Sequence, residues 1–240
     1  MTTAGLTSQI SYLSSKNYAI IVGGGSGTRM RSAVPKQFLP LCGRPVLMHT
    51  IEAFSASAVR PEIIVVLPSA YHAYWQQLCD EHNFTMPHVL VAGGETRFHS
   101  VKNGLDKIED GIDSLIAVHD AVRPLTSKHI IENSYQIAAG MGNAVTAVKS
   151  RDSVRLMENG ASKNLLRDDV YLVQTPQTFQ SSQIKKAYEQ PYNAKFTDDA
   201  SVVEEIGFKI NLAEGDHRNI KITFPEDIAV ADMFLKDHKR

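Results

Sequence analysis

The chain is short of cysteine, of net charge and of long apolar runs, and each shortage removes a class of protein. Its 240 residues hold two cysteines, Cys42 and Cys79. They form no C-x-x-C pair and cannot frame a disulfide-stapled fold, so both are read as buried free thiols in a reduced compartment. Lys and Arg number 25 against 26 Asp and Glu, a formal charge of −1. That excludes a broad polyanion-binding surface, and nucleic acid is not expected as a partner. Any bound anion must be held by a few local cations and backbone donors. No apolar run approaches the roughly 18 residues of a membrane span. Residues 1–17 are rich in Ser and Thr and lack an apolar signal core, so they are read as a flexible N-terminal extension on a cytoplasmic protein without membrane contact. The nine histidines contain no H-E-x-x-H pattern, which argues against zinc.

What is present is alternation. "YAIIV" (18–22) and "EIIVVLP" (62–68) read as buried strands, and "HVLVAGG" (88–94) and "SLIAVHD" (114–120) as two further strands. Between them, 45–54, 70–83, 96–108 and 126–142 carry helical spacing, the last with a Ser/Thr cap and a glycine end. The pattern predicts an α/β fold with a Rossmann-like, mostly parallel sheet and helices on both faces. In such sheets ligands sit beyond the carboxyl ends of the strands. The unusual residues fall there: Gly23–Gly27, Gly93–Gly94 and Asp120–Arg123.

After residue 145 the alternation breaks. Strand-like segments flank Asn159-Gly160, a pair that favours a tight hairpin turn. We expect a protruding β-arm at about 148–172, and since a two-stranded arm is marginal in water, it should pack on something, a second subunit among the options. Helices are expected at 196–207 and 224–239, and strands in "KINLAEG" and "NIKIT". Residues 18–240 then form one domain with an arm. His119 and Trp75 are read as packing groups.

The stretch "GGGSGTRMRSAVPKQ" (23–37) combines bare backbone with Arg29 and Lys36. A glycine-rich turn between strand and helix lets successive N–H groups converge on an anion. The P-loop pattern fails for want of a Lys and Ser/Thr pair, and the dinucleotide fingerprint fails at Thr28 and Met30. A nicotinamide-dependent oxidoreductase on a similar sheet is thereby disfavoured. Arg29 can fork two bonds to phosphate oxygens and Lys36 adds a compact charge. Together they suit a triphosphate that loses pyrophosphate, where charge builds on the leaving oxygens.

With "GTRM", "PKQF", "VHDAVRP" (118–124), "TPQTF" (175–179), "TDDAS" (197–201) and "NIKIT" (219–223) in this order, the chain resembles the 2-C-methyl-D-erythritol 4-phosphate cytidylyltransferase family. The resemblance implies transfer of CMP from CTP to a polyol phosphate, with Mg²⁺ carried mainly on the CTP phosphates and Asp120 a possible ligand. It implies that Arg29 and Lys36 stabilise the transition state, and that Gly23, Gly24 and Gly25 contact nucleotide. Gly94, Glu95 and Ser100 match the cytosine-reading segment; Asp120 and Arg123 match a pair near ribose, phosphate and substrate. Lys221 and Arg167 match cations that place the attacking phosphate, and Ser153, Thr175 and Thr197 match hydroxyls around the polyol. It further implies a homodimer in which the arm carries Ser153 and Arg167 to the partner's site.

The chain departs from the family pattern in two places. Gly23 and Gly24 stand where alanines are usual. Val122 stands where many members have Ala, and ribitol-5-phosphate cytidylyltransferases share that Val. "RDS" (151–153) resembles the methylerythritol enzymes' "RDT", so the resemblance favours methylerythritol phosphate, with ribitol phosphate as the alternative.

Overall fold

The run at 18–22 has no charged residue and is buried throughout, as suits a strand covered on both faces. The computed structural model describes residues 16–24, 34–111 and 113–237. Its strands in chain order are β1 (Tyr18–Val22), β2 (Pro40–Leu41), β3 (Arg44–Pro45), β4 (Glu62–Leu67), β5 (Val89–Ala92), β6 (Leu115–Asp120), β7 (Asn143–Lys149), β8 (Arg155–Glu158), β9 (Ala161–Asn164), β10 (Tyr171–Gln180) and β11 (Leu212–Glu214). The helices are α1 (Val46–Ser55), α2 (His72–Glu81), α3 (Arg97–Leu105), α4 (Lys128–Met141), α5 (Ser181–Ala187), α6 (Asp199–Glu205) and α7 (Pro225–Asp237).

Seven strands form the central sheet in the order β11-β7-β10-β6-β1-β4-β5. β1 pairs parallel with β4 and β6, and β4 with β5. β10 runs antiparallel to both β6 and β7, while β11 is parallel to β7. The expected mostly parallel sheet is therefore present, with one reversed strand inside it.

Alternate residues of each strand feed opposite cores. Ala19, Ile21, Ile63 and Val65 meet Leu47 and Phe54 of α1, Trp75 of α2 and Tyr135 of α4. Ile20, Val22, Ile64 and Val66 meet Phe98 and Val101 of α3, Ile184 of α5 and Val202 of α6. Helices thus cover both faces, as the period-two and helical patterns require. Local chemistry sets their ends. Ser127 caps α4 by accepting from Ile130 N, and Gly142 ends it at φ 92°. Asp198 opens α6 in a reciprocal capping box with Ser201.

Several expectations need correction. "NIKIT" is not a strand: Ile222 N makes one bond, to Val122 O, at 2.9 Å. β10 and α5 were not anticipated as separate elements, nor was the small β2–β3 hairpin. Cys79 is buried, but Cys42 is exposed, in a turn at φ 47°. The β8–β9 hairpin turns at Asn159-Gly160 as expected, and all eight of its paired residues are exposed. Of the N-terminal extension expected at 1–17, residues 1–15 lie outside the described residues. Asn17 is buried, and its backbone carbonyl accepts from Glu62 N at 2.8 Å. No helix among the described residues is long and apolar enough to cross a membrane.

Two helical glycines separate packing from propensity. A Cβ on Gly104 of α3 would meet Ile20 Cγ2 at 2.8 Å, with Val66 Cγ2 at 3.3 Å behind it. On Gly140 of α4 it would meet nothing within 4 Å. Gly140→Ala is expected to stabilise by about 0.5–1 kcal/mol. Gly104→Ala is expected to destabilise by about 1–2 kcal/mol, because overpacking outweighs the propensity gain. Urea unfolding of the two variants checks the opposite signs.

Candidate active site

The carboxyl ends of β1, β4, β5 and β6 are held level by ladder bonds that continue past the strands. Gly23 N donates to Val66 O (2.8 Å), Ala121 N to Val22 O (3.0 Å) and Gly93 N to Leu67 O (2.8 Å). These bonds bring the glycine loop, the Gly93–Gly94 turn and the end of β6 to one edge. There they border a crevice of about 250 Å³. Of the candidate site residues, it gathers Gly23, Gly24, Lys36, Gly94, Glu95, Ser100, Asp120 and Lys221. Gly25 and Arg29 lie outside the described residues.

"PKQF" explains how Lys36 arrives. Pro35 precedes a single 3-10 turn over Lys36–Phe38. Gln37 is buried and donates through Nε2 to Gly23 O at 2.8 Å. Phe38 is buried against Trp75 and Tyr74. These two neighbours fix the turn and leave Lys36 on the crevice wall. On the opposite wall, Thr96 caps α3. Ser100 Oγ donates to Thr96 O at 2.9 Å and accepts from Gly94 N at 3.0 Å. A Cβ on Gly94 would stand 2.4 Å from His99 Cβ and 2.9 Å from its carbonyl carbon, so the turn closes on the helix only with glycine there.

Asp120 ends β6 and is the centre of charge. Its Oδ2 meets Lys221 Nζ at 3.0 Å and Arg123 Nε at 3.2 Å. Burial alone would push the carboxyl up. The charges of Lys221, Arg97 and Arg123 outweigh it and hold Asp120 well below the usual carboxylate range. Thr175 Oγ1 accepts from Asp120 N at 3.1 Å, and Arg123 Nη1 donates to Asn219 O at 2.7 Å. Arg123 and Thr175 are both buried and sit behind the crevice rather than on its lining. The three remaining candidates, Ser153, Arg167 and Thr197, are exposed and do not line it. Ser153 and Arg167 belong to the arm region, and Thr197 precedes α6.

Sequence reasoning missed Arg97, which lines the crevice and pairs with buried Asp199. The two are 102 positions apart, and nothing local marks either. It also missed Gln37 and Asn219. Asn219 is fully buried, accepts from Thr126 Oγ1 at 2.8 Å and donates to Thr175 O at 2.9 Å. It thereby fastens the segment that carries Lys221 to the end of β6 and to β10.

The sheet and its cation-lined crevice are in keeping with an α/β nucleotidyltransferase, the class its relatives define. The family model described as 2-C-methyl-D-erythritol 4-phosphate cytidylyltransferase matches residues 18–237, and the chain belongs to that family. A relative of that name from Bacteroides thetaiotaomicron is 45% identical over 220 residues, covering 92% of this chain and 100% of the relative. One from Bacteroides fragilis is 46% identical over 217 residues, 90% and 98% of the two chains. The crystal structure of the 4-diphosphocytidyl-2C-methyl-D-erythritol synthase of Anaerococcus prevotii superposes with a TM-score of 0.80 at 28% identity, over 98% of this chain and 100% of that one. The Francisella tularensis cytidylyltransferase gives 0.76 at 32%, over 91% and 99%. The resemblance carried by six ordered motifs is borne out.

His119, one residue before Asp120, is fully buried, edge-on to Phe54, with Nε2 3.3 Å from Thr126 Oγ1. Burial pushes its imidazole down to about 3, against the pull of Asp120. An unfolded imidazole titrates near 6.5, so below that pH the unfolded chain takes up a proton that the fold refuses. This stability is complete above pH 6.5 and is lost as pH falls toward 3, by about 2 kcal/mol at pH 5. Urea unfolding of His119→Gln should show a smaller loss between pH 7 and pH 5 than wild type. Equal losses would assign the acid sensitivity elsewhere.

Proposed function

We propose that the chain transfers CMP from CTP to the phosphate of 2-C-methyl-D-erythritol 4-phosphate, releasing pyrophosphate, in a cytoplasmic isoprenoid-precursor route. The observation that carries this reading is the gathering of Lys36, Lys221 and the Gly23–Gly24 backbone around one strand-end crevice. An oxygen of the polyol phosphate attacks the α-phosphorus of CTP in line. A new P–O bond forms as the bond to the bridging oxygen of pyrophosphate breaks. No protein nucleophile is required, so the protein's part is positioning and charge stabilisation. In this reading Lys36 and Arg29 receive the charge growing on the leaving phosphates. The backbone of Gly23, Gly24 and Gly25 cradles the nucleotide, and Gly94, Glu95 and Ser100 read cytosine. Lys221 and the partner's copy of Arg167 bring up the attacking phosphate. Ser153 and Thr197 serve the polyol, Thr175 supports it from behind the crevice by holding Asp120 N, and Asp120 and Arg123 hold the floor between them.

A divalent metal is general to nucleotidyl transfer from CTP, and Mg²⁺ is the ion proposed here. Among the described residues no group of three His, Cys, Asp or Glu could hold an ion. The described carboxylates that line the crevice are Glu95 and Asp120, and Asp120 is already paired with two cations. So small a donor set fits an ion that would be held mainly by the triphosphate, with Asp120 as the protein ligand proposed. The ion would neutralise charge on the phosphates. Residues 18–240 are taken as one catalytic domain, in keeping with the family match over 18–237.

We further propose a homodimer through the arm. The exposed hairpin carries Met157 and is flanked by Leu166 and Leu172, which are 65%, 71% and 50% exposed. Such apolar exposure on a marginal two-stranded element suits a covered surface.

Pyrophosphate release from CTP with Mg²⁺ and each polyol phosphate tests the reaction. Release is expected with the methylerythritol substrate. Release with ribitol phosphate alone would transfer the assignment to that substrate, and release with neither would sink the enzyme reading. Lys36→Ala and Lys221→Ala should each lower the rate by about 10²–10³, and melting temperature should fall more for Lys221→Ala, which takes a cation from buried Asp120, than for Lys36→Ala. For the arm, mixing Arg167→Ala with Lys36→Ala subunits should restore one of the two sites in each mixed dimer. Verified mixed dimers without recovered activity would show that sites are not shared.

A further inference from the structure

Arg97 lines the crevice, yet the reaction as proposed gives it no task. It opens α3 directly after the Thr96 cap, and its side chain crosses to the first residue of α6. Nη1 donates to Asp199 Oδ1 at 2.9 Å and Nη2 to Oδ2 at 2.5 Å. A two-pronged guanidinium–carboxylate pair fixes direction as well as distance. Asp199 is fully buried and also accepts from Tyr188 Oη at 2.7 Å. A carboxylate buried so deeply is costly without its cation, so its geometry depends on Arg97.

The two ends of this strut differ in the chain that leads into them. The α3 end is held without it. Gly93 N bonds to Leu67 O, Ser100 bridges Gly94 and Thr96, and Phe98 is buried in the core. The α6 end follows an exposed stretch at 191–195. α6 itself is also held by Ala200, Val202 and Val203 in the core, by Tyr188 Oη on Asp199 and by Gln177 on Asp198 Oδ2 (2.9 Å) and Ala200 N (2.8 Å), whereas the residues just before it are tied by the stacking of Phe196 on Phe98 and by Thr197 N on Ser201 Oγ (3.2 Å). Loosening the strut should therefore move the segment around Thr197 more than the loop that lines the crevice.

We propose that Arg97 is a positioning residue for the second substrate: through Asp199 it sets where Thr197 stands, and so where the polyol phosphate presents its attacking oxygen. This rests on the reaction proposed above. Arg97→Lys keeps the charge but loses the fork, and Asp199→Asn keeps the shape but loses the anion. Three quantities are measured for both variants and wild type: CTP binding by calorimetry without polyol phosphate, KM for 2-C-methyl-D-erythritol 4-phosphate at saturating CTP, and melting temperature. CTP affinity should stay close to wild type, while KM for the polyol phosphate rises about tenfold or more. A general structural role would lower melting temperature and kcat through a smaller active fraction and leave that KM unmoved; this result in both variants would overturn the inference. So would an equal weakening of CTP binding. Failure of wild type to turn over this substrate would overturn the underlying reaction and the inference with it. Normal wild-type turnover with an unmoved KM would overturn the inference alone. Should one variant fail to fold, the other supplies the comparison.

Discussion

A buried carboxylate at the end of a central strand organises this molecule. Asp120 sits where β6 leaves the sheet, 8% exposed, with Lys221 and Arg123 on one oxygen. An anion in that position requires cations, and each arrives on a different segment. Arg123 is three residues on, and its second contact, to Asn219 O, anchors the 219–223 segment. Lys221 then reaches the crevice from that anchored segment. The charge cluster thus does what no strand pairing does here: it attaches an irregular stretch of chain to the sheet at a defined height. Lys221 is half-exposed and Arg123 is not, so one cation remains available to an anionic ligand while the other is consumed by the fold. Removing the carboxylate would leave Arg123 buried without its partner, a cost larger than the pair itself contributes.

The reversed strand β10 completes this floor. Its inner residues are mostly polar, and they are buried because each one holds something. Thr175 accepts from Asp120 N, Gln174 donates to Asp216 O, Gln177 bonds to Asp198 and Ala200, and Thr178 donates to Ser134 Oγ. The register shifts between Val173 and Gln177, the interval that holds Gln174 and Thr175. A regular apolar strand in this place would stabilise the sheet but would leave the loops around the crevice without attachments.

That division explains what could be read from the sequence. β1, β4 and β6 were legible because burial on both faces leaves continuous apolar runs, and β5 because its run is apolar although only Val91 is buried. α4 was legible from Ser127 and Gly142. β10 was not, because "QTPQTFQ" carries the composition of a loop while occupying the interior. "NIKIT" misled for the opposite reason. Its alternation is real, since Ile222 is buried with Val46 and Val122 while Lys221 faces the crevice. A single bond to Val122 O replaces the ladder that such alternation usually signals. At the site, the glycines and Lys36 were visible because their chemistry is local. Arg97 and Asp199 were not, because a pair defined only by tertiary contact leaves no spacing to find.

The same contrast bears on how the crevice can work. Its Gly23 and Gly93 walls are tied to strand ends by backbone bonds that continue the sheet, and the Lys36 turn and Gly94 are held to them by the Gln37 and Ser100 side chains. They can be preorganised for phosphate, which is what electrostatic stabilisation requires. Ser153 and Arg167 stand on exposed chain with no comparable ties, and Thr197 is linked to the sheet only through its neighbours. Groups of that kind contribute to a site only once something else fixes them, whether a partner surface, a substrate or a strut such as Arg97–Asp199. The nucleotide side would then be ready before binding, and the acceptor side assembled by it. That order lets contacts with the second substrate be spent on alignment.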